Sequence, residues 1–316
     1  MNDYWKEREL EHIRKSVKSD KQLAKEIAKR HRIAMDEIQD EINRFYAEYA
    51  TTEGITMTEA QKRVAKIDIQ RYRNKAKKYV KGAHSDNEAL RYLAFTDKAN
   101  QEMRLYNVTM KINRLQMLKM NIDIELIAMG NDVEAFLYRS FNRHVYAEYE
   151  RLSAILGMTV NPKSPKAVEK IVNASFKTAT WSERLWTNQN ALRKELDTLI
   201  HRSILQGRNP KEMARELRKS FDVSVSDSER LLITEIARIQ ADVSEDSAKQ
   251  AGITEYKYLA EPDACEICAE LNDKVFKYEE KEIGVNHYPM HPRCRCSTSM
   301  YVSREEWDKD LKRRGM

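Results

Sequence analysis

All four cysteines of this chain lie within one window of 32 residues. Cys265 and Cys268 form a C-x-x-C pair, and Cys294 and Cys296 follow His291 in the segment HPRCRC. Two short pairs of soft donor atoms, brought together by a hairpin, are the usual way to build a tetrahedral zinc site. The segment around them, about 253–303, has few large apolar residues, so it needs such a staple to be stable.

Zinc is therefore the expected cofactor, and reducing conditions favour metal ligation over disulfides. Five donors compete for four places, and the sequence leaves open which four are used. Three other interpretations also stay open: unmetallated thiols in a packed hairpin, a nucleophilic cysteine paired with His287 or His291, and a redox C-x-x-C pair. The candidate ligands are Cys265, Cys268, His291, Cys294 and Cys296.

The rest of the chain has the composition of long solvated helices. Charged residues make up 34% and hydrophobic residues 41% of the 316 positions, with only eight glycines and six prolines. Such a balance is typical of helical rather than β-rich proteins. We expect a mainly α fold, with long N-terminal helices, a smaller helical region and a C-terminal α+β Cys/His unit. No stretch approaches the run of about 18 apolar residues that a membrane span requires, and we expect synthesis and first action in the cytosol.

Hydrophobic periodicity predicts long helices over 20–50, 56–80 and 86–156. In the first, apolar residues from Leu23 to Tyr49 recur at spacings of four and seven, which forms one stripe along a helix. Gly54 breaks this pattern, and Gly157 follows the last of the three helices. We therefore expect residues 1–157 to form a long-helix bundle or stalk.

Prolines at 162 and 165 predict a domain edge after this region. We expect a helical region over 158–252, with helices at 181–206, 209–221 and 226–251. The following segment, 253–303, contains three β-type runs, EYKYLA, KVFKY and STSMYV, and a turn at Asn272-Asp273. Residues 304–316 form a charged tail. Trp181 and Trp186 are expected to anchor the core or an interface.

A basic segment at 62–81 could contact nucleic acid. Asp68 is its only acidic residue, so the segment carries more positive charge than the whole chain, which has a net charge of +6. Cations interleaved with Tyr72 and Tyr79 could neutralise phosphates without reading sequence, although a solvated helix surface explains such a run as well. The candidate DNA-binding residues are Lys62, Arg63, Lys66, Arg71, Arg73, Lys75, Lys77, Lys78 and Lys81.

The second half of the chain resembles the phage minor head proteins, the head morphogenesis proteins of the Mu F-like group. TWSERLW and HRSILQGRNPKEMARELRKSF are similar to the helical lead-in of the family, and SERLLITEIARIQ is similar to its central helix. DACEICAELNDKVF and NHYPMHPRCRC are similar to its paired Cys/His signature. The resemblance covers about 120 residues with these motifs in order, whereas residues 1–157 match only in character.

This resemblance implies a structural virion protein without enzymatic activity. It implies a location inside the capsid near the portal, with assembly in the host cytoplasm, and a role in capsid assembly and DNA packaging or ejection. The implied partner is the portal protein, with a capsid or scaffolding protein as a further candidate. The basic segment 62–81 adds double-stranded DNA, bound without sequence preference, as an expected partner.

Two residues depart from the pattern of the family. Ile233 stands where an arginine commonly precedes Thr234-Glu235, and Asn272-Asp273 replaces a turn that often ends in glycine. The alternative functions are a Cys/His-dependent hydrolase or transferase of head maturation, with Cys294 or Cys265 as nucleophile, and a nucleic-acid-binding protein whose zinc unit touches DNA.

Overall fold

A computed structural model describes residues 2–50, 74, 114–176, 178–205 and 210–303 of the chain. Within these residues, six α-helices and a three-stranded sheet follow one another as predicted for a mainly α protein with a C-terminal α+β Cys/His unit, and this fold class is confirmed. The helices are α1 (Asn2–Ala50), α2 (Arg114–Leu156), α3 (Pro165–Val172), α4 (Trp181–Leu205), α5 (Pro210–Ala251) and α6 (Glu266–Leu271). The strands are β1 (Glu255–Leu259), β2 (Val275–Lys277) and β3 (Ser297–Tyr301).

Helix α1 buries the predicted apolar stripe. Ile27 and Ile38 are fully buried, and Ile42 is 1% exposed, because residues spaced by four and seven share one helix face. The helix begins eighteen residues before the predicted start at Asp20, and the same stripe continues back to Trp5 and Ile13. The predicted helix over 56–80 lies outside the described residues, as does the first part of the one over 86–156.

Helix α5 corrects one prediction. The sequence predicted two helices, over 209–221 and 226–251, whereas the structure has one continuous helix of 42 residues. The residues between them, Asp222–Val225, include no glycine or proline, so nothing in the backbone chemistry stops the helix there. Pro210 stands at the first helical position, where its missing amide hydrogen costs nothing.

The three predicted β-type runs form an antiparallel sheet with β1 in the centre, in the order β2-β1-β3. Tyr256 pairs with Phe276 on one side and with Met300 on the other. The predicted turn is present as well: the amide of Lys274 donates to the carbonyl of Leu271 at 3.0 Å, and Asp273 has a φ of 64°. Asp tolerates this left-handed conformation better than most residues.

Two compact units divide the chain. Unit 1 comprises Met1–Ala24, Leu137–Trp181 and Glu229–Met316, and unit 2 comprises Lys25–Phe136 and Ser182–Ser228. Each unit is thus assembled from segments that are distant in sequence. The consecutive segments 1–157, 158–252, 253–303 and 304–316 remain a prediction.

Both tryptophans of TWSERLW are buried, as expected for core anchors. In unit 1, the ring of Trp181 lies edge-to-face with Phe141, at 5.3 Å between centroids. In unit 2, Trp186 packs against Gly130, where an added Cβ atom would lie only 3.2 Å from the indole ring. None of the described helices is both long enough and apolar enough to cross a membrane.

The core of unit 1 also encloses a charged residue. Arg238 on α5 is 1% exposed. Its guanidinium donates to the carbonyls of Ile171 and Val172 at the end of α3, at 2.9 and 3.1 Å. Arg238 therefore adds a charged hydrogen-bond donor to carbonyl groups at the end of a helix, where the regular intrahelical hydrogen bonds stop.

Candidate metal centre

The first donor pair lies at the start of a short helix. Cys265 is the N-cap residue of α6, and its carbonyl accepts the amide of Ala269 at 2.9 Å. Cys268 follows within the helix and is fully buried, whereas Cys265 is exposed. Since α6 lies between β1 and β2 along the chain, the pairing of these two strands positions the C-x-x-C segment.

The second donor group lies on a tight turn. The amide of Cys294 donates to the carbonyl of His291 at 3.1 Å, and Arg293 has a φ of 64°. Pro292 before it fixes its own φ and suits the first central position of such a turn. Thr234 on α5 holds the turn, because its hydroxyl accepts the amide of Arg293 at 3.1 Å.

The structure brings all five predicted donors into two overlapping groups. The ligand atoms of Cys265, Cys268 and His291 all lie within 4.8 Å of one another, and so do the sulfurs of Cys268, Cys294 and Cys296. Cys268 belongs to both groups, so it is the central donor of the cluster. His287, the more distant candidate, lies outside both groups: its ring stacks on Tyr288 at 4.8 Å.

The spacing of these donors suits a metal ion. Nε2 of His291 lies 3.3 Å from the sulfur of Cys268 and 3.4 Å from that of Cys265. Tetrahedral zinc, with bonds of about 2.0 Å to nitrogen and 2.3 Å to sulfur, separates these two kinds of ligand atom by roughly 3.5 Å. Nδ1 of His291 lies 2.9 Å from the carbonyl of Pro292, which would orient the ring and leave Nε2 as the ligand atom.

Burial and contacts between the thiols shift the pKa values of the three buried cysteines in different directions. A hydrogen bond from Cys296 lowers the pKa of Cys294 to about 5, although burial opposes this change. The contact with Cys294 raises the pKa of Cys296, and burial raises that of Cys268 to about 12. A metal ion binds thiolates and would displace the remaining protons. The cluster could therefore hold a metal ion.

Apolar and aromatic residues enclose the sulfurs. Cys268, Cys294 and Cys296 belong to one buried core cluster with Tyr258 of β1 and Ala237 of α5. Burial raises the pKa of Tyr258, and negative charge on Cys294 raises it further. Sequence reasoning did not identify Tyr258 or Thr234 as neighbours of the cysteines. Both stand on other elements, so only the tertiary structure brings them to the site.

Two other predicted features have different outcomes. The nine candidate DNA-binding residues from Lys62 to Lys81 lie outside the described residues. Two observations bear on the interpretation of a cysteine as nucleophile. Cys265 is exposed, and its sulfur lies 3.4 Å from Nε2 of His291. The pKa of Cys265 is lowered, first by a hydrogen bond from the backbone of Cys268. The described part of the chain therefore contains a thiol–imidazole pair as well as a candidate metal cluster.

Comparison with known proteins adds one match. Residues 194–299 match the family model described as Phage Mu protein F like protein. The match runs from within α4 into β3 and includes all five Cys/His donors. No curated protein and no solved structure matches the chain. Over this segment, the chain is similar to the Mu F-like phage head morphogenesis proteins.

Proposed function

We propose that this chain is a structural minor head protein of a phage. It lies inside the capsid near the portal vertex and acts in capsid assembly and in DNA packaging or ejection. The family match over residues 194–299, which includes the whole Cys/His cluster, carries this proposal. The portal protein is the main partner, and a capsid or scaffolding protein is a further one. Assembly takes place in the host cytoplasm.

We further propose that the cluster binds one zinc ion with a structural role. Thiolate and imidazole donors are the ligands that zinc prefers, and a site with four protein ligands leaves no open position for a substrate. The ion would cross-link α6, between β1 and β2, to the turn that precedes β3. Its four ligands come from Cys265, Cys268, His291, Cys294 and Cys296.

The basic segment 62–81 supports a contact with the packaged genome. Its positive charge exceeds that of the whole chain. Lysine and arginine side chains release counterions when they bind phosphates, which gives affinity without sequence preference. We assign non-specific binding of double-stranded DNA to this segment.

Co-expression with the portal protein of the same phage tests the proposed function. The expected result is a complex that survives purification and contains about one zinc ion per copy of this chain. Failure to co-purify, with both proteins folded and soluble, would overturn the portal association. A control variant with Cys265 and Cys268 changed to serine shows whether the association depends on the Cys/His unit.

A Cys/His-dependent hydrolase or transferase of head maturation is the second candidate, because Cys265 is exposed 3.4 Å from Nε2 of His291. Here the thiolate would attack a carbonyl carbon, and the imidazolium would return a proton to the leaving group. If Cys265→Ser abolishes processing of capsid proteins while the zinc content and fold persist, the enzymatic function replaces the structural one. Unchanged processing supports the structural function.

A further inference from the structure

Arg295 connects the Cys/His cluster to the first helix. It stands between the candidate ligands Cys294 and Cys296, is 6% exposed, and forms an ion pair with Asp20 of α1. Asp20 is 7% exposed, so the ion pair is shielded from water. These residues all belong to unit 1.

Ser297 makes a second connection to the same helix. Its hydroxyl donates to Glu9 of α1 at 3.0 Å, and Glu9 is 3% exposed. The other oxygen of Glu9 accepts from Arg151 of α2 at 2.6 Å, and Arg151 also pairs with Glu148. Glu9 is therefore a buried carboxylate whose partners come from both α2 and β3.

In the segment before and into β3, candidate metal ligands alternate with residues that contact α1. Side chains of an extended segment point to opposite sides at successive positions. Cys294 and Cys296 share one side, within the sulfur cluster, while Arg295 and Ser297 contact α1. Four ligands drawn from five donors include at least one of these two sulfurs, so a bound ion also fixes the backbone from which the two helix contacts arise.

The energetics of buried charge make this connection sensitive to geometry. A buried ion pair offsets the cost of removing its charges from water only when its geometry is good, and breaking one leaves an uncompensated charge. If the turn before β3 loosened, Asp20 and Glu9 would each be deprived of a partner while buried. Detachment of this part of α1 would return both carboxylates to water.

We propose that metal binding at the Cys/His cluster controls the docking of residues 2–24 of α1 on the Cys/His unit. The proposal rests on the zinc site proposed above. With the ion bound, the first part of α1 is docked through Asp20 and Glu9. Without it, the segment opens while the rest of the helix remains folded.

Hydrogen exchange of the full chain, measured by mass spectrometry with and without a zinc chelator, tests this coupling. Chelation is expected to speed exchange of the amides in 2–24 by about tenfold or more, and added zinc restores protection. Peptides from 25–47 serve as the internal reference, since His31 and Arg30 bind partners in unit 2. Zinc analysis of the same samples accompanies each measurement.

Two variants make the test specific. The triple change Asp20→Leu, Arg295→Met and Ser297→Ala removes both connections to α1, so it should keep bound zinc but abolish most of the zinc dependence of exchange in 2–24. Arg293→Lys, next to Cys294 on the other side and 45% exposed at its side chain, should retain that dependence. Ser297→Ala alone should reduce it in part, which covers the case in which the triple variant fails to fold.

The outcomes separate the two proposals. Zinc bound to the wild-type chain with unchanged exchange on chelation overturns the coupling and leaves the zinc site intact. Equal zinc dependence in the triple variant and in the wild type also overturns the coupling. Absence of bound zinc from freshly purified protein overturns both the site and the coupling.

Discussion

Nε of Arg238 lies 2.6 Å from a carboxylate oxygen of Glu235, and the two side chains are 2% and 0% exposed. We expect Arg238→Met to lower the free energy of unfolding by about 3–5 kcal/mol, because it removes the cation of a buried ion pair and leaves the buried carboxylate of Glu235 uncompensated by this charge. Urea unfolding measures this loss. The matched control is Arg202→Met, whose pair with Glu216 at 3.3 Å is 46% and 42% exposed and should contribute at most about 1 kcal/mol. Equal losses in the two variants would contradict the prediction.

The overlap of the two donor groups predicts unequal effects of cysteine substitutions. Cys268→Ser should weaken zinc binding by more than about tenfold, since loss of a group that merely supports a ligand already costs 10–100-fold. At least one serine variant among Cys265, Cys294 and Cys296 should keep one zinc ion per chain, because five donors compete for four positions. Competition with a chromogenic chelator measures these affinities. Wild-type affinity in Cys268→Ser would refute the central position of this sulfur.

The burial of His31 predicts that the folded protein loses stability in acid. Burial lowers its pKa to about 4, while Nδ1 donates to the carbonyl of Ile27 at 2.9 Å and Nε2 accepts from Ser224 at 3.2 Å. Between pH about 6.5 and about 4, the unfolded chain binds a proton at this histidine and the folded chain does not. Stability therefore falls as the pH drops through this window, by roughly 3 kcal/mol in total, and is unaffected by this residue above it.

His31→Gln is the control for that pH dependence, since glutamine keeps hydrogen-bonding capacity but does not titrate. The difference in unfolding free energy between wild type and variant should shrink as the pH falls from 7 to 4. A difference that stays constant over this range would exclude His31 as the cause. Thermal unfolding at a series of pH values measures both proteins.

The basic segment predicts a salt-dependent affinity for duplex DNA. Changing Lys75, Lys77 and Lys78 to alanine should reduce the slope of log K against log salt by about 2.7, since each phosphate that a lysine neutralises contributes about 0.9 to that slope. Fluorescence anisotropy with an unrelated duplex at several salt concentrations measures the slope.

The control for this slope is a second lysine triplet, Lys163, Lys166 and Lys170, which is exposed on and just before α3. Alanine at these three positions removes the same charge from another place. If both triple variants change the slope equally, the binding reflects net charge and not the basic segment.

Elements whose structure depends on residues close together in sequence could be predicted. The three strands, the turn at Asp273 and the stripe through Ile27 and Ile38 were predicted because side-chain period and turn chemistry depend only on near neighbours. Cys294 and Cys296 stand two positions apart, and their sulfurs lie within 4.8 Å of that of Cys268, which agrees with the alternation of side chains along an extended segment.

The buried charged residues of α1 could not be predicted from the sequence. Glu9 and Asp20 occupy the buried face of α1 between Trp5 and Ile27, where polarity alone assigns them to the surface. Their partners stand more than 140 residues away in the chain, so no local pattern could indicate the pairing. The early start of α1 was missed for this reason, because its apolar stripe is interrupted by these carboxylates.

The discontinuity of unit 1 has a consequence for synthesis on the ribosome. Asp20 lies in the earliest segment of this unit, and its partner Arg295 lies in the latest. At roughly 5–20 residues per second, the stretch from Ala24 to Glu229 alone takes about 10–40 s to translate. During that interval the helix face that carries Trp5, Glu9, Ile13 and Asp20, all buried in the folded protein, has emerged without Arg295 and Ser297. The nascent chain therefore presents a natural target for chaperones at its first helix.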